Sequence, residues 1–116
     1  MIVVIAGPTG VGKSKIAIEL AKKLDAEIIS ADAFQIYKYM NIGTAKVRED
    51  ETENIKHHMI DVYDVDSNID VKKYQEDARK ILNSLLLKNK NIIICGGTGL
   101  YIKALLYDYK FQEETL

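Results

Sequence analysis

Ile2-Val3-Val4-Ile5 is a short, wholly apolar run, and Gly7-Pro8-Thr9-Gly10-Val11-Gly12-Lys13-Ser14 follows almost at once. No other stretch of the chain constrains its fold as much. An apolar run stopped by Gly-Pro reads as a strand buried on both faces, as in a parallel sheet. Beyond the glycine-rich turn, Ile16, Ala17, Leu20, Ala21 and Leu24 make one stripe of a helix, with Glu19, Lys22 and Lys23 outside it. The turn itself satisfies the phosphate-binding P-loop pattern: Gly, four free positions, Gly, Lys, then Ser or Thr. Glycines let successive backbone N–H groups point inward at phosphate oxygens, and the helix that starts there adds the positive end of its dipole. Gly7 to Ser14 are therefore the expected phosphate-binding residues. Lys13 would reach the terminal oxygens, and Ser14 would offer its hydroxyl to Mg²⁺.

Further strands and helices alternate along the chain. Glu27 to Ala31 reads as a second strand and His58 to Val62 as a weaker third. A long helix follows, with Tyr74, Ala78, Ile81, Leu82 and Leu85 on one face and Asp70 as its cap. Asn91 to Cys95 is a clear strand, stopped by Gly96-Gly97, and Leu100 to Tyr107 restarts a helix. Tyr37 to Lys56 has no firm period and reads as an exposed excursion, with room for one helix. Alternation of this kind predicts an α/β fold: a P-loop NTPase-like parallel sheet flanked by helices in three layers.

Composition narrows the function classes. The chain has 116 residues, with 16 Lys and Arg against 17 Asp and Glu, a net charge of −1 and no strong basic stripe. That argues against a general nucleic-acid binder, though not against a local basic face. No apolar run is long enough to span a bilayer. Cys95 is the single cysteine, so no internal disulfide forms, and a cytoplasmic location is the simplest reading. Cys95 itself reads as a small buried hydrophobe.

Ligands of open parallel sheets bind beyond the carboxyl ends of the strands. Besides the P-loop, two segments end there: Asp32-Ala33-Phe34-Gln35 and Gly96-Gly97-Thr98-Gly99-Leu100-Tyr101. Asp32 can cap a turn, hold Mg²⁺, or accept a proton from a nucleophile. Gln35 carries both a donor and an acceptor, which suits the edge of a base. Thr98 can cap the next helix or contact substrate, and its flanking glycines would let a substrate backbone come close. His57 and His58 are adjacent and make a poor metal pair, because a strand points them to opposite faces. Asp61 and Asp64 are weaker candidates for supporting Mg²⁺. A motor ATPase would carry a carboxylate after a later strand; Gly96-Gly97 stands there instead, which favours a small transferase or kinase.

Five segments together resemble the tRNA dimethylallyltransferase (tRNA isopentenyltransferase) family. They are Gly7 to Ser14, Asp32-Ala33-Phe34-Gln35-Ile36-Tyr37-Lys38, Gly43-Thr44-Ala45-Lys46, His57-His58-Met59-Ile60-Asp61 and Gly96 to Tyr101. Ala33, Phe34 and Lys38 stand where the family usually has Ser, Met and Arg. The resemblance implies transfer of a dimethylallyl group from its diphosphate to N6 of the adenosine at tRNA position 37, in tRNAs that read codons starting with U. It implies Asp32 and Thr9 as catalytic residues. It also implies Asp32, Ala33, Phe34, Gln35 and Thr98 as contacts to the tRNA anticodon stem-loop, and Mg²⁺ as cofactor. The chain then corresponds to the N-terminal part of a P-loop transferase domain, without the helical tRNA-binding insertion and the remainder. Such a fragment is expected to be inactive alone, and the full-length enzyme to be a monomer. A small-molecule or nucleoside kinase using ATP is the alternative, since the P-loop itself does not separate the two.

Overall fold

The computed structural model describes residues 1–7, 12–33, 35–38, 53–97 and 99–107. Its elements are β1 (Ile2–Ala6), α1 (Lys13–Leu24), β2 (Ala26–Ser30), β3 (His57–His58), α2 (Val71–Leu87), β4 (Asn91–Gly96) and α3 (Gly99–Leu106). The four strands form one sheet in the order β1-β4-β2-β3, and every pairing is parallel. The predicted excursion from Tyr37 to Lys56, with its possible helix, falls mostly outside the described residues.

Side-chain alternation along the strands splits the interior into two layers. Ile92 and Ile94 of β4 and Ile29 of β2 face α2 and α3, where Tyr74, Ala78, Leu82, Leu85, Tyr101 and Leu105 meet them. Ile93 and Ile28 face the other way, onto Ala17, Ile18 and Ala21 of α1. Two helices on one face and one on the other give the expected three-layer arrangement. Truncating a core residue such as Leu82, which is fully buried, to Ala would cost about 2–5 kcal/mol.

Three expectations need correction. The first strand was expected to be buried on both faces, but β1 lies at the edge of the sheet and Val4 is 42% exposed. Ile16 was placed on the buried stripe of α1, but it is 54% exposed, and Ile18 is buried instead. The helix meets the sheet through the small residues Ala17 and Ala21, so the buried arc centres on them; Ile18 lies nearer that centre than Ile16. The third strand was expected over His58 to Val62 and ends at His58. Met59 and Asp61 adopt left-handed φ values of 65° and 58°. That twist turns Met59 into the α2-side core, where simple alternation would have sent it to the α1 side. Tyr63 rejoins the structure through an isolated parallel bridge to Tyr37.

Candidate functional site

Three chain segments meet at the carboxyl end of the sheet, and each is placed by ordinary local chemistry. The first is the turn into α1. Gly12 sits at the N-cap with φ 81° and ψ 12°, a conformation that glycine adopts without a Cβ penalty. No side chain caps the helix among the described residues, and its first turn carries no acid. The leading N–H groups of α1 therefore receive no carboxylate from the helix itself, which is the arrangement an anionic ligand needs. The Lys13 stem lies beside Gly7: a Cβ there would stand 3.6 Å from Lys13 Cδ. Pro8, Thr9, Gly10 and Val11 lie outside the described residues, as do Phe34 and Thr98.

The second segment follows β2. Asp32 is buried, 4% exposed, and its Oδ1 accepts a hydrogen bond from the Gln35 backbone N–H at 3.1 Å. The carboxylate thus caps its own turn, as the bland reading allowed, while standing at the end of the strand that the functional reading needs. Gln35 is held from several sides. Its side-chain oxygen accepts from the Ser30 hydroxyl at 3.1 Å, and its carbonyl accepts from the Asp61 N–H at 3.0 Å. Ala33 packs half-buried against the α2-side core. Beneath them the Tyr74 phenol donates to the Ser30 carbonyl at 2.7 Å, so α2 fixes the end of β2 directly.

The third segment ends β4. A Cβ on Gly96 would lie 2.1 Å from the Ala31 carbonyl oxygen, so only glycine permits this approach. The Ala31 N–H donates to the Cys95 carbonyl at 2.9 Å in the same place. Sequence reasoning gave these glycines to a substrate backbone. For Gly96 the close neighbour is instead the chain just before Asp32, whereas Gly99 has nothing within 4 Å of its would-be Cβ.

The segments converge electrostatically on Cys95. Burial pushes its thiol up, Lys13 pulls it down and Asp32 pushes it up again. Both charged candidates therefore act on one sulfur, and the thiol stays protonated at neutral pH; Cys95 is partly buried against the α1-side core, rather than within it as the sequence predicts. A narrow cleft of about 20 Å³, lined by Ser14, Ser30, Gln35, His57 and Cys95 among others, runs beside them. It is large enough for one water molecule.

His57 is the site residue that sequence reasoning passed over. Its Nδ1 donates to the Ile55 carbonyl at 2.9 Å, which leaves Nε2 an acceptor. Burial holds its pKa below the usual value; the Ile55 contact opposes that and His58 reinforces it. The ring is thus neutral at pH 7. His58 points to the opposite face, where its Nε2 meets Glu27 Oε1 at 2.7 Å, as strand geometry predicted. The signal for His57 was that same alternation, applied to a strand lying next to β2.

Among the described residues no group of three or more His, Cys, Asp or Glu side chains could hold a metal ion. Asp64 turns to the surface, 3.8 Å from Lys38, and Asp61 is exposed. A dedicated protein cage for Mg²⁺ does not fit these residues. Mg²⁺ held mainly by water and substrate phosphates does fit, because it needs only one or two hard oxygens such as the Ser14 hydroxyl and the Asp32 carboxylate.

The family model described as IPP transferase matches residues 35–116. A tRNA dimethylallyltransferase of Exiguobacterium sibiricum is 54% identical over 113 residues, which is 97% of this chain and 36% of that protein. The crystal structure of a tRNA delta(2)-isopentenylpyrophosphate transferase from Staphylococcus epidermidis superposes with a TM-score of 0.87 at 46% identity. It covers 96% of this chain and 36% of its own. A eukaryotic dimethylallyltransferase captured acting on tRNA gives a TM-score of 0.85 at 31% identity, over 99% of this chain and 29% of its own. The chain therefore spans about a third of the length of the curated relatives it matches.

Proposed function

Because this chain belongs to the IPP transferase family, we propose that it carries the donor-binding part of a tRNA dimethylallyltransferase. The reaction moves a dimethylallyl group from dimethylallyl diphosphate to N6 of the adenosine at tRNA position 37, in tRNAs reading codons that start with U. The chain is then the N-terminal part of the catalytic domain, working in the cytoplasm, where tRNA is. Among the described residues no helix is long and apolar enough to cross a membrane.

One observation carries the reading. A helix start without a side-chain cap, with the Lys13 stem beside Gly7, and the buried Asp32 carboxylate both stand at the carboxyl end of the sheet. A diphosphate leaving group seats on the α1 N–H groups and Lys13, which stabilise the negative charge that grows as the C–O bond breaks. The N6 lone pair forms the new C–N bond as that bond breaks, and the N6 proton passes to the Asp32 carboxylate. Thr9, in the P-loop, is the further catalytic residue of this reading. Bound Mg²⁺, reached by the Ser14 hydroxyl, would add charge neutralisation at the diphosphate. Gln35 is fixed by Ser30 and Asp32, and in this reading Asp32, Ala33, Phe34, Gln35 and Thr98 contact the target nucleotide.

Paired titrations with dimethylallyl diphosphate and with ATP, both with Mg²⁺, test this. Tighter binding of dimethylallyl diphosphate is expected. Tighter binding of ATP would transfer the site to a kinase.

A further inference from the structure

We propose that a groove on the α2 side of the sheet is a second anion-binding surface, which takes the phosphodiester backbone of an RNA. The groove has a volume of about 410 Å³. Lys56, Lys80, Lys88 and Ser84 line it, with Ile81 and Leu85 as its apolar part. It lies far from the candidate site. Glu27, which also lines it, lies near the start of β2, whereas Asp32 lies beyond its end; five residues of extended chain span about 16 Å. It also opens on the sheet face opposite α1.

The charge in this groove is gathered by the fold. Lys56, Lys80 and Lys88 are scattered in sequence, so no basic stripe is visible there, and the chain's net charge is −1. None of these lysines has an ion-pair partner among the described residues. The one acid lining the groove, Glu27, is already engaged by His58 at 2.7 Å. Asp77 lies within the field of Lys80, but it takes its hydrogen bonds from Tyr63 and Lys73. Each lysine stands on a fixed backbone. The Lys56 carbonyl accepts from Ile28 N–H at 2.9 Å, the Lys88 N–H caps the end of α2, and Lys80 is within that helix.

Compact ammonium charges on flexible stems suit phosphate oxygens rather than base edges. The surface therefore holds and orients RNA without reading its sequence. The inference rests on RNA being the acceptor substrate.

The test uses this chain and a fluorescent RNA stem-loop of about 20 nucleotides, titrated by anisotropy at several salt concentrations. The triple variant Lys56→Gln, Lys80→Gln, Lys88→Gln should bind about tenfold or more weakly at low salt. Its slope of log affinity against log salt should be shallower by about 2 to 3. A charge-matched triple, Lys23→Gln, Lys72→Gln, Lys103→Gln, should stay close to wild type, and a stem-loop with a scrambled loop should bind equally well. No RNA binding by the wild-type chain overturns the proposal. So does an equal loss in both triples, which would mean attraction by net charge alone. Vesicles containing phosphatidylserine that bind through these lysines, where RNA does not, would assign the groove to membranes and overturn it too. Dimethylallyl diphosphate binding, measured on the same samples, reports the P-loop separately. Its loss in wild type would strike the donor-site reading and leave the groove result standing.

Discussion

α1 and α2 begin in opposite ways, although both start at the carboxyl end of the same parallel sheet. α2 starts at Asp70 in an extended conformation, and the Asp70 carboxylate accepts from the Lys73 N–H at 2.9 Å. α1 starts at a left-handed Gly12, with no side-chain cap. One helix supplies its own anion at its positive end, and the other carries neither a side-chain cap nor an acid in its first turn among the described residues. A cap is worth about 1 kcal/mol. α1 forgoes it, and packing of Ala17, Ile18 and Ala21 against the sheet holds the helix instead.

The sharpest way to separate the two ends is through the chemistry that only one of them serves. In a chimera that carries this segment within a full-length relative, Asp32→Ala should lower turnover about 10²–10⁴-fold. Single-turnover kinetics should show dimethylallyl diphosphate binding largely unchanged. If affinity for diphosphate and Mg²⁺ falls together with rate, Asp32 supports the metal and is not the base.

Next in size is the seam that places Asp32. Gly96→Ala would drive a Cβ into the Ala31 carbonyl, and overpacking of this kind costs about 1–3 kcal/mol. Urea unfolding should show a lower midpoint. The cost should exceed that of Gly99→Ala, where the space is open. At the closed end, Asp70→Ala should cost about 1 kcal/mol in the same assay.

The smallest effect is a pH dependence of stability. The folded-state pKa of His57 is lowered, chiefly by burial, so the unfolded chain binds its proton more readily. Stability from this group is complete above the ordinary histidine pKa near 6.5 and falls as pH drops through and below it. Melting temperatures measured between pH 7.5 and pH 5.5 should fall, and His57→Asn should flatten that part of the curve. An unchanged slope in the variant would place the dependence elsewhere.

Much of this was readable before any coordinates. The apolar runs at Ile2 and Asn91 form strands and Asp70 caps its helix, because each expresses a local rule. What was hidden depends on partners distant in sequence. Ile16 looks as apolar as Ile18, and only the docking angle of α1 separates them. The third strand breaks because Met59 turns into a core built by α2. The reason for Gly96 is the backbone of Ala31, and the lysine groove joins positions 56, 80 and 88. The placement of His57 was hidden for the same reason, since its cleft is completed by Ser14 and Cys95.

The central claim is that the open end of α1 grips a diphosphate while the closed end of α2 does not. Isothermal titration of dimethylallyl diphosphate with Mg²⁺ into wild type, Lys13→Ala and Asp70→Ala tests it most directly. Loss of the charge-assisted contact should cost Lys13→Ala about 1.5–3 kcal/mol of binding, roughly 10- to 150-fold in affinity. Asp70→Ala should bind like wild type. Equal affinities for wild type and Lys13→Ala, with both folded by circular dichroism, would contradict the account.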